Sequence, residues 1–161
     1  MVDKAAFTLQ SQELLPALYR MCMNILRSDA DAQDAVQQCL MKGWAHRADV
    51  QPDRLRPWLM RIAVNECRNI QRYRKRVYPA PAPAPSRPFY PPDTDLWELS
   101  EAIDRMDQRL RVPLLLKYRE NYTEKEIAAV LRVPVSTVKN RLYSARRVLQ
   151  KSLADMEVAF E

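Results

Sequence analysis

The sequence predicts an all-α chain built as two small helical bundles, and three observations carry that expectation. The first is the balance of backbone punctuators. Among 161 residues there is one Gly against 12 Pro, whereas tight hairpins between strands call for glycine at positive φ. The second is periodicity: apolar residues recur at spacings of three and four along several stretches, the signature of a helix with one buried face. The third is the segment from Thr123 to Leu149, TEKEIAAVLRVPVSTVKNRLYSARRVL, which has the punctuation of two short helices set at an angle.

In chain order, a first helix is expected between Thr8 and Leu26. Leu14, Leu18, Met21 and Ile25 form one stripe, and Leu15, Cys22 and Leu26 widen it. Pro16 marks either its start or a kink. The SDAD run at Ser28 to Asp31 stops that helix and supplies an acidic cap for the next. The second helix, from about Asp31 to Trp44, buries Ala32, Ala35, Val36, Cys39, Leu40 and Trp44. Its outer face carries Gln33, Asp34, Gln37, Gln38 and Met41, polar but weakly charged. Such a face suits either plain solvation or the docking of another protein's helix, and the residues alone leave both open.

After a connector from Ala48 to Arg56, a third helix begins with Pro57 in its first turn and runs through Tyr73 into Arg74, Lys75 and Arg76. Leu59, Ile62, Ala63, Cys67 and Ile70 share one side. Arg61, Asn65, Arg68 and Arg72 lie opposite, a basic stripe about 16 Å long at ~1.5 Å per residue, enough to follow several phosphates. Trp58, Tyr73 and Tyr78 flank it, the company of aromatics and cations that suits stacking of unpaired bases. Trp58 is equally well a core residue.

Pro79 to Pro92, PAPAPAPSRPFYPP, breaks every periodicity. Alternating proline favours an extended polyproline II spacer, able to span roughly 40 Å at about 3.1 Å per residue; an ordinary disordered loop would serve the same end. Beyond it, Thr94 or Asp95 caps a helix with Leu96, Leu99, Ile103 and Met106 on one side, and Arg109 to Tyr118 supplies another, rich in Leu. The expected division is residues 1–77, a linker at 78–93, and 94–161. The second unit, of about 65 residues, is near the lower end for independent stability.

In the C-terminal segment, Thr123 and Glu126 have capping-box spacing. Ile127, Ala128, Val130 and Leu131 give a short apolar face, and Pro134 suits the first position of a new helix after a turn at Arg132 and Val133. In that last helix Val135, Val138, Leu142, Ala145 and Leu149 form the expected buried stripe. The opposite face carries Ser136, Lys139, Asn140, Tyr143 and Arg147, with Arg141, Arg146 and Lys151 on the rim. Hydroxyl, amide, aromatic and cations on one face are the groups that contact base edges, thymine methyls and phosphates. The capping box, the turn and this face together point to DNA.

Composition narrows the remaining classes. A net charge of +6 favours an acidic partner. Cys22, Cys39 and Cys67 are odd in number, widely spaced and on apolar helical positions, so neither a disulfide frame nor a zinc site is indicated. One His, no Gly-rich phosphate loop and no carboxylate cluster leave nothing to perform a reaction. No enzyme activity, metal or cofactor is expected. No apolar run approaches about 18 residues, and the MVDKAAF start lacks a signal-peptide pattern; the expectation is a cytoplasmic protein with no membrane insertion.

LYRMCMNIL, DADAQDAVQQCLMKGW, RPWLMRIAVNECRNIQRYRKR and YTEKEIAAVLRVPVSTVKNRLYSARRVL, in this order and around a Pro-rich gap, resemble the extracytoplasmic-function sigma factors of bacterial RNA polymerase over nearly the whole chain. The resemblance implies a non-enzyme that binds core polymerase, directs it to promoter DNA and helps open the duplex, with an anti-sigma protein as regulator. It implies that Asp34, Gln37, Gln38 and Met41 belong to the segment gripping the polymerase, where Gln38 replaces a usual acidic residue. It places Asn65 and Asn69 near the extruded minus-ten base, with Trp58 and Arg61 in the neighbourhood; Arg68 and Arg72, from the basic stripe read above, complete the expected minus-ten and melting set. It assigns minus-thirty-five reading to Thr137, Lys139, Asn140, Tyr143 and Ser144, overlapping the Ser136 to Arg147 face derived above. The connector ADVQPDRLR departs from the family's Gly- and Ser-containing loop with an aromatic. Asn121 and Arg132 stand where glycines are usual; Asn accepts the left-handed conformation more readily than Arg. A freestanding helix-turn-helix regulator is the main alternative, and the long basic third helix speaks against it. A nucleic-acid-processing enzyme is a more distant one.

Overall fold

The structure, a computed structural model, describes the backbone of residues 2–78 and 94–159 and the side chains of 2–78 and 98–155. These residues form seven α-helices: α1 Lys4–Leu26, α2 Asp29–Ala45, α3 Leu55–Val77, α4 Thr94–Arg105, α5 Gln108–Tyr118, α6 Glu124–Leu131 and α7 Val135–Ala159. Two short 3-10 turns, Arg47–Asp49 and Pro52–Arg54, make up the connector before α3. No strand occurs among the described residues. The Pro79 to Pro92 stretch lies outside them, and so does the polyproline reading of it. The chain falls into two compact units, Met1–Ser86 with Ala129–Arg132, and Arg87–Ala128 with Val133–Glu161.

In the first unit α1, α2 and α3 all pack against one another. Helix α1 starts at Lys4, earlier than the expected Thr8, because Asp3 caps it: the Ala6 N–H donates to Asp3 Oδ1 at 2.7 Å. Pro16 lies inside the helix, neither its start nor its end. Ser28 caps α2, which begins at Asp29 with Asp29 and Asp31 in the first turn, where carboxylates meet the positive end of the helix dipole. The core consists of Phe7, Leu18, Met21, Cys22 and Ile25 from α1, Ala32, Ala35, Val36 and Cys39 from α2, and Leu55, Leu59, Met60, Ala63, Val64 and Cys67 from α3.

Several sequence expectations shift here. Leu15 is 40% exposed although it shares the period of Leu18 and Cys22: it sits at the margin of the apolar face. Trp44 is 39% exposed; its ring meets Phe7 edge-on at 5.6 Å and carries the Arg47 guanidinium 3.9 Å above it. On α3, Ile62 and Ile70 are half-buried while Leu55, Met60 and Val64 are fully inside, so the apolar face is rotated from the expected stripe. The three thiols are free and buried, and Cys39 Sγ donates to the Leu59 carbonyl at 3.2 Å across α2 and α3. Gly43 is buried between side chains of α1 and α3: a Cβ there would stand 2.6 Å from Leu59 Cδ2 and 3.3 Å from the Phe7 ring.

In the second unit α7 packs on both α4 and α5. Met106, Leu114 and Ala145 form one buried cluster in it, with Ile103, Leu110 and Leu149 against them, and Leu116, Ile127, Val138 and Leu142 are fully buried as well. Thr94 is the first residue of α4 rather than its cap. Leu99 sits at 36% exposure while Ala102 is buried in its place. Buried Arg111 donates from Nη1 to the Met106 carbonyl at 3.0 Å, satisfying the chain end after α4.

The capping box forms as the spacing predicts. The Glu126 N–H donates to Thr123 Oγ1 at 3.1 Å and the Thr123 N–H donates to Glu126 Oε1 at 3.0 Å, an arrangement worth about 1 kcal/mol. Pro134 precedes α7 rather than opening it, its carbonyl accepting from the Thr137 and Val138 N–H groups. Asn121 and Arg132 both adopt left-handed backbone, with φ of 61° and 56°, as does Arg27 with φ of 55° at the end of α1.

Candidate nucleic-acid interface

On α7 the burial pattern separates two faces. Val138, Leu142 and Ala145 are fully buried and Leu149 half-buried, so the stripe expected from spacing points inward. Val135 departs from it at 37% exposure, because the first residue of a helix has no turn before it to pack beneath. Ser136, Lys139, Asn140, Tyr143, Ser144 and Arg147 are exposed, and Thr137 is half-buried. Tyr143 shows 57% of its surface, and the Arg147 guanidinium lies 5.8 Å from its ring centroid. A cation held over an aromatic face at this distance gains about 0.5–1 kcal/mol when exposed, which keeps Arg147 lying along the helix. Arg146 turns the other way and donates to the Tyr118 hydroxyl of α5. Lys117 Nζ donates to Glu124 Oε1 at 3.0 Å, a contact that holds the Glu124 carboxyl below the usual range.

On α3, Asn65, Arg68, Asn69 and Arg72 are exposed and Arg61 and Trp58 half-buried. The stripe is therefore open along its C-terminal part and partly recessed at Arg61 and Trp58. Asn69 Oδ1 accepts from Arg72 Nη2 at 2.8 Å, which orients the amide so that its donors face away from the guanidinium. With Lys75 and Arg76 these two residues line an open groove of about 570 Å³. Lys75 and Arg76 stood in the sequence as a charge run; only the helix continuing to Val77 puts them in register with Asn69 and Arg72. On α2, Asp34, Gln37, Gln38 and Met41 are all exposed, Met41 at 64%. Met41, one turn beyond Gln37 and Gln38, is an apolar spot on a weakly charged surface.

Residues 11–77 match the family model of sigma-70 region 2, and residues 96–149 that of sigma-70 region 4. The extracytoplasmic-function RNA polymerase sigma factor SigW of Bacillus subtilis is 26% identical over 86% of this chain and 84% of its own. The chain belongs to the extracytoplasmic-function sigma factors. A second relative of this sigma factor is the RNA polymerase sigma-H factor of Pseudomonas aeruginosa, 25% identical over 94% of this chain and 88% of that one. Among solved structures, the sigma factor RpoE of Bartonella quintana, in complex with the anti-sigma factor NepR, superposes with a TM-score of 0.75 at 28% identity, covering 89% of this chain and 95% of that chain. The first region match takes in all of the α2 and α3 faces, and the second takes in the open face of α7. Proteins of this family are not enzymes, in keeping with a surface whose notable groups are cations, amides and aromatics.

Proposed function

We propose that the two units divide the promoter between them while both ride on core RNA polymerase. This alternative sigma factor binds core polymerase and directs promoter-specific initiation of transcription. Within that activity, the α7 face of Ser136, Thr137, Lys139, Asn140, Tyr143, Ser144 and Arg147 reads the minus-thirty-five element. The α3 face of Trp58, Arg61, Asn65, Arg68, Asn69 and Arg72 takes the minus-ten element and helps open it. Asp34, Gln37, Gln38 and Met41 on α2 dock on the polymerase. The observation that carries this reading is that exposed cations and amides gather along one side of α3 in the first unit and along one side of α7 in the second, opposite the side chains each helix buries in its core.

The chemistry of the two DNA faces differs in a way that fits the division. Side chains on α7 combine a hydroxyl, an amide and cations, which suits edge reading in an intact groove. Those on α3 combine cations with Asn65 and Asn69 beside Trp58, which suits a strand whose bases are unstacked and turned outward. Unstacking costs a few kcal/mol per base, and contacts to the released base and its phosphates must offset it. A protein that does this work shares the cytoplasm with its polymerase. No helix among the described residues is long and apolar enough to cross a membrane. Because a relative's structure holds an anti-sigma factor, an anti-sigma protein that covers the docking or DNA faces is the expected regulator.

Run-off transcription with purified core polymerase, with and without the chain, tests the reading. Promoter-dependent transcripts are expected only when it is present. Asn65→Ala should leave polymerase binding intact and reduce permanganate reactivity of thymines in the minus-ten region; unchanged reactivity would remove Asn65 from the opening set.

A further inference from the structure

Two ion pairs join α2 to α3, and they run in opposite senses. Asp31, in the first turn of α2, pairs with Arg74 near the end of α3. Lys42, in the last turn of α2, pairs with Glu66 in the middle of α3. Acid and base thus alternate along the antiparallel helices, each charge on α2 also sitting at the end of the helix dipole that favours its sign. Sliding one helix along the other by a turn, about 5.4 Å, would separate both pairs at once. The Cys39 hydrogen bond to the Leu59 carbonyl and the close approach at Gly43 fix the two helices near their middle, and the ion pairs add a charge-selective constraint towards both ends, which non-directional apolar burial does not supply.

Glu66 is the unusual member. Its side chain is 8% exposed and it lies between Asn65 and Cys67 on a helix whose inner face is otherwise apolar. A carboxylate in that setting depends on its cation, and an apolar side chain of similar size would serve packing equally well or better. The positions of the two residues say what the pair does. Lys42 follows Met41 and stands one turn beyond Gln38, at the edge of the α2 face. Glu66 adjoins Asn65 and stands one turn before Asn69, at the edge of the α3 face.

We propose that Lys42 and Glu66, braced by Asp31 and Arg74, are positioning residues that hold the strand-opening face of α3 in fixed register with the docking face of α2. Docking of α2 on the polymerase then places Asn65, Asn69 and Arg72 where the minus-ten strand must be received. The inference rests on the functional reading above, and the two fail separately.

The test uses the full chain with core polymerase and compares three forms: wild type, Lys42→Met with Glu66→Leu, and the conservative Lys42→Arg. Thermal unfolding by circular dichroism, core binding by fluorescence anisotropy and promoter opening by permanganate reactivity are measured on each. The apolar double variant should keep its melting temperature and bind core to within about twofold. Its opening should fall at least about tenfold, because small misplacements of positioned groups are costly. Lys42→Arg should open as wild type does. Wild-type opening by the apolar variant would overturn the proposal, as would a loss of opening matched by an equal loss of core binding. If the double variant does not fold, Lys42→Gln is judged by the same two outcomes. Absence of opening by the wild-type chain would instead sink the functional reading.

Discussion

Arg146 Nη1 lies 2.9 Å from the hydroxyl oxygen of Tyr118 and donates to it, tying the middle of α7 to the last residue of α5. Both side chains are exposed, so the bond competes with water at each end. Tyr118→Phe should therefore lower stability by only about 0.5–1 kcal/mol, a shift of a few degrees in melting temperature. Base preference at the minus-thirty-five element should not change, since Arg146 faces away from the reading residues. Calorimetry and competition binding measure the two quantities; altered base preference would mean that Arg146 contacts the duplex after all.

Arg147 and Asn140 should behave differently when removed. Arg147→Ala takes away a cation assigned here to phosphate contact, so binding should weaken on all promoter variants alike and the slope of log affinity against log salt should drop by about 1. Asn140→Ala should cost about 1–3 kcal/mol on the preferred sequence and much less on variants at the contacted base pair. Holoenzyme binding to a small panel of upstream-element variants, at two salt concentrations, separates the patterns. Equal losses across the panel for both substitutions would refute the division.

Gly43→Ala sets two effects of similar size against each other. Alanine gains about 1 kcal/mol over glycine in a helix interior. Its Cβ, however, would meet Leu59 Cδ2 at 2.6 Å and the Phe7 ring at 3.3 and 3.4 Å. Leu59 is fully buried and has little room to turn away, and overpacking of this kind costs about 1–3 kcal/mol. The clash wins, and a net destabilisation of about 1 kcal/mol is expected in urea unfolding. A more stable variant would show that Leu59 can move.

The thiol cluster makes stability fall in alkali. Burial is the main cause pushing Cys39 up from its ordinary value of 9.0 to about 12, and Cys67 is raised as well, chiefly by its hydrogen bond with Cys22 and then by burial. Below the unfolded value all forms are protonated and the native state keeps its full stability. As pH climbs from about 9 towards 12 the unfolded chain releases thiol protons that the folded chain retains, so stability drops by up to about 1.4 kcal/mol per pH unit for each thiol. Urea midpoints measured from pH 8 to 10 should decline, and a Cys39→Ala variant should decline less steeply. In the native state these thiols should also resist alkylation at pH 8.

Much of this was legible in the residues. The capping box at Thr123 and Glu126, the inward row Val138, Leu142 and Ala145, and the exposed set from Lys139 to Arg147 followed from spacing because each depends on neighbours within a turn or two. What spacing could not give was the tertiary competition for each face. Leu15 and Val135 have the right period and still lie outside, and Arg61 is partly recessed where an unobstructed stripe was expected. The pairing of Lys42 with Glu66, 24 residues apart, left only one trace in the sequence: a single carboxylate standing within an apolar arc of α3. The start of α1 lies ahead of its first apolar stripe because Asp3, a polar residue outside that pattern, caps it.

Arg27 and Arg132 each round a corner in a conformation that suits glycine better, while the one glycine of the chain is committed to a close crossing of helices. Two corners are thus left tighter than they need to be. An engineer seeking a hardier version of this regulator could relax both with glycine, at positions assigned neither to DNA nor to polymerase, and compare promoter recognition before and after.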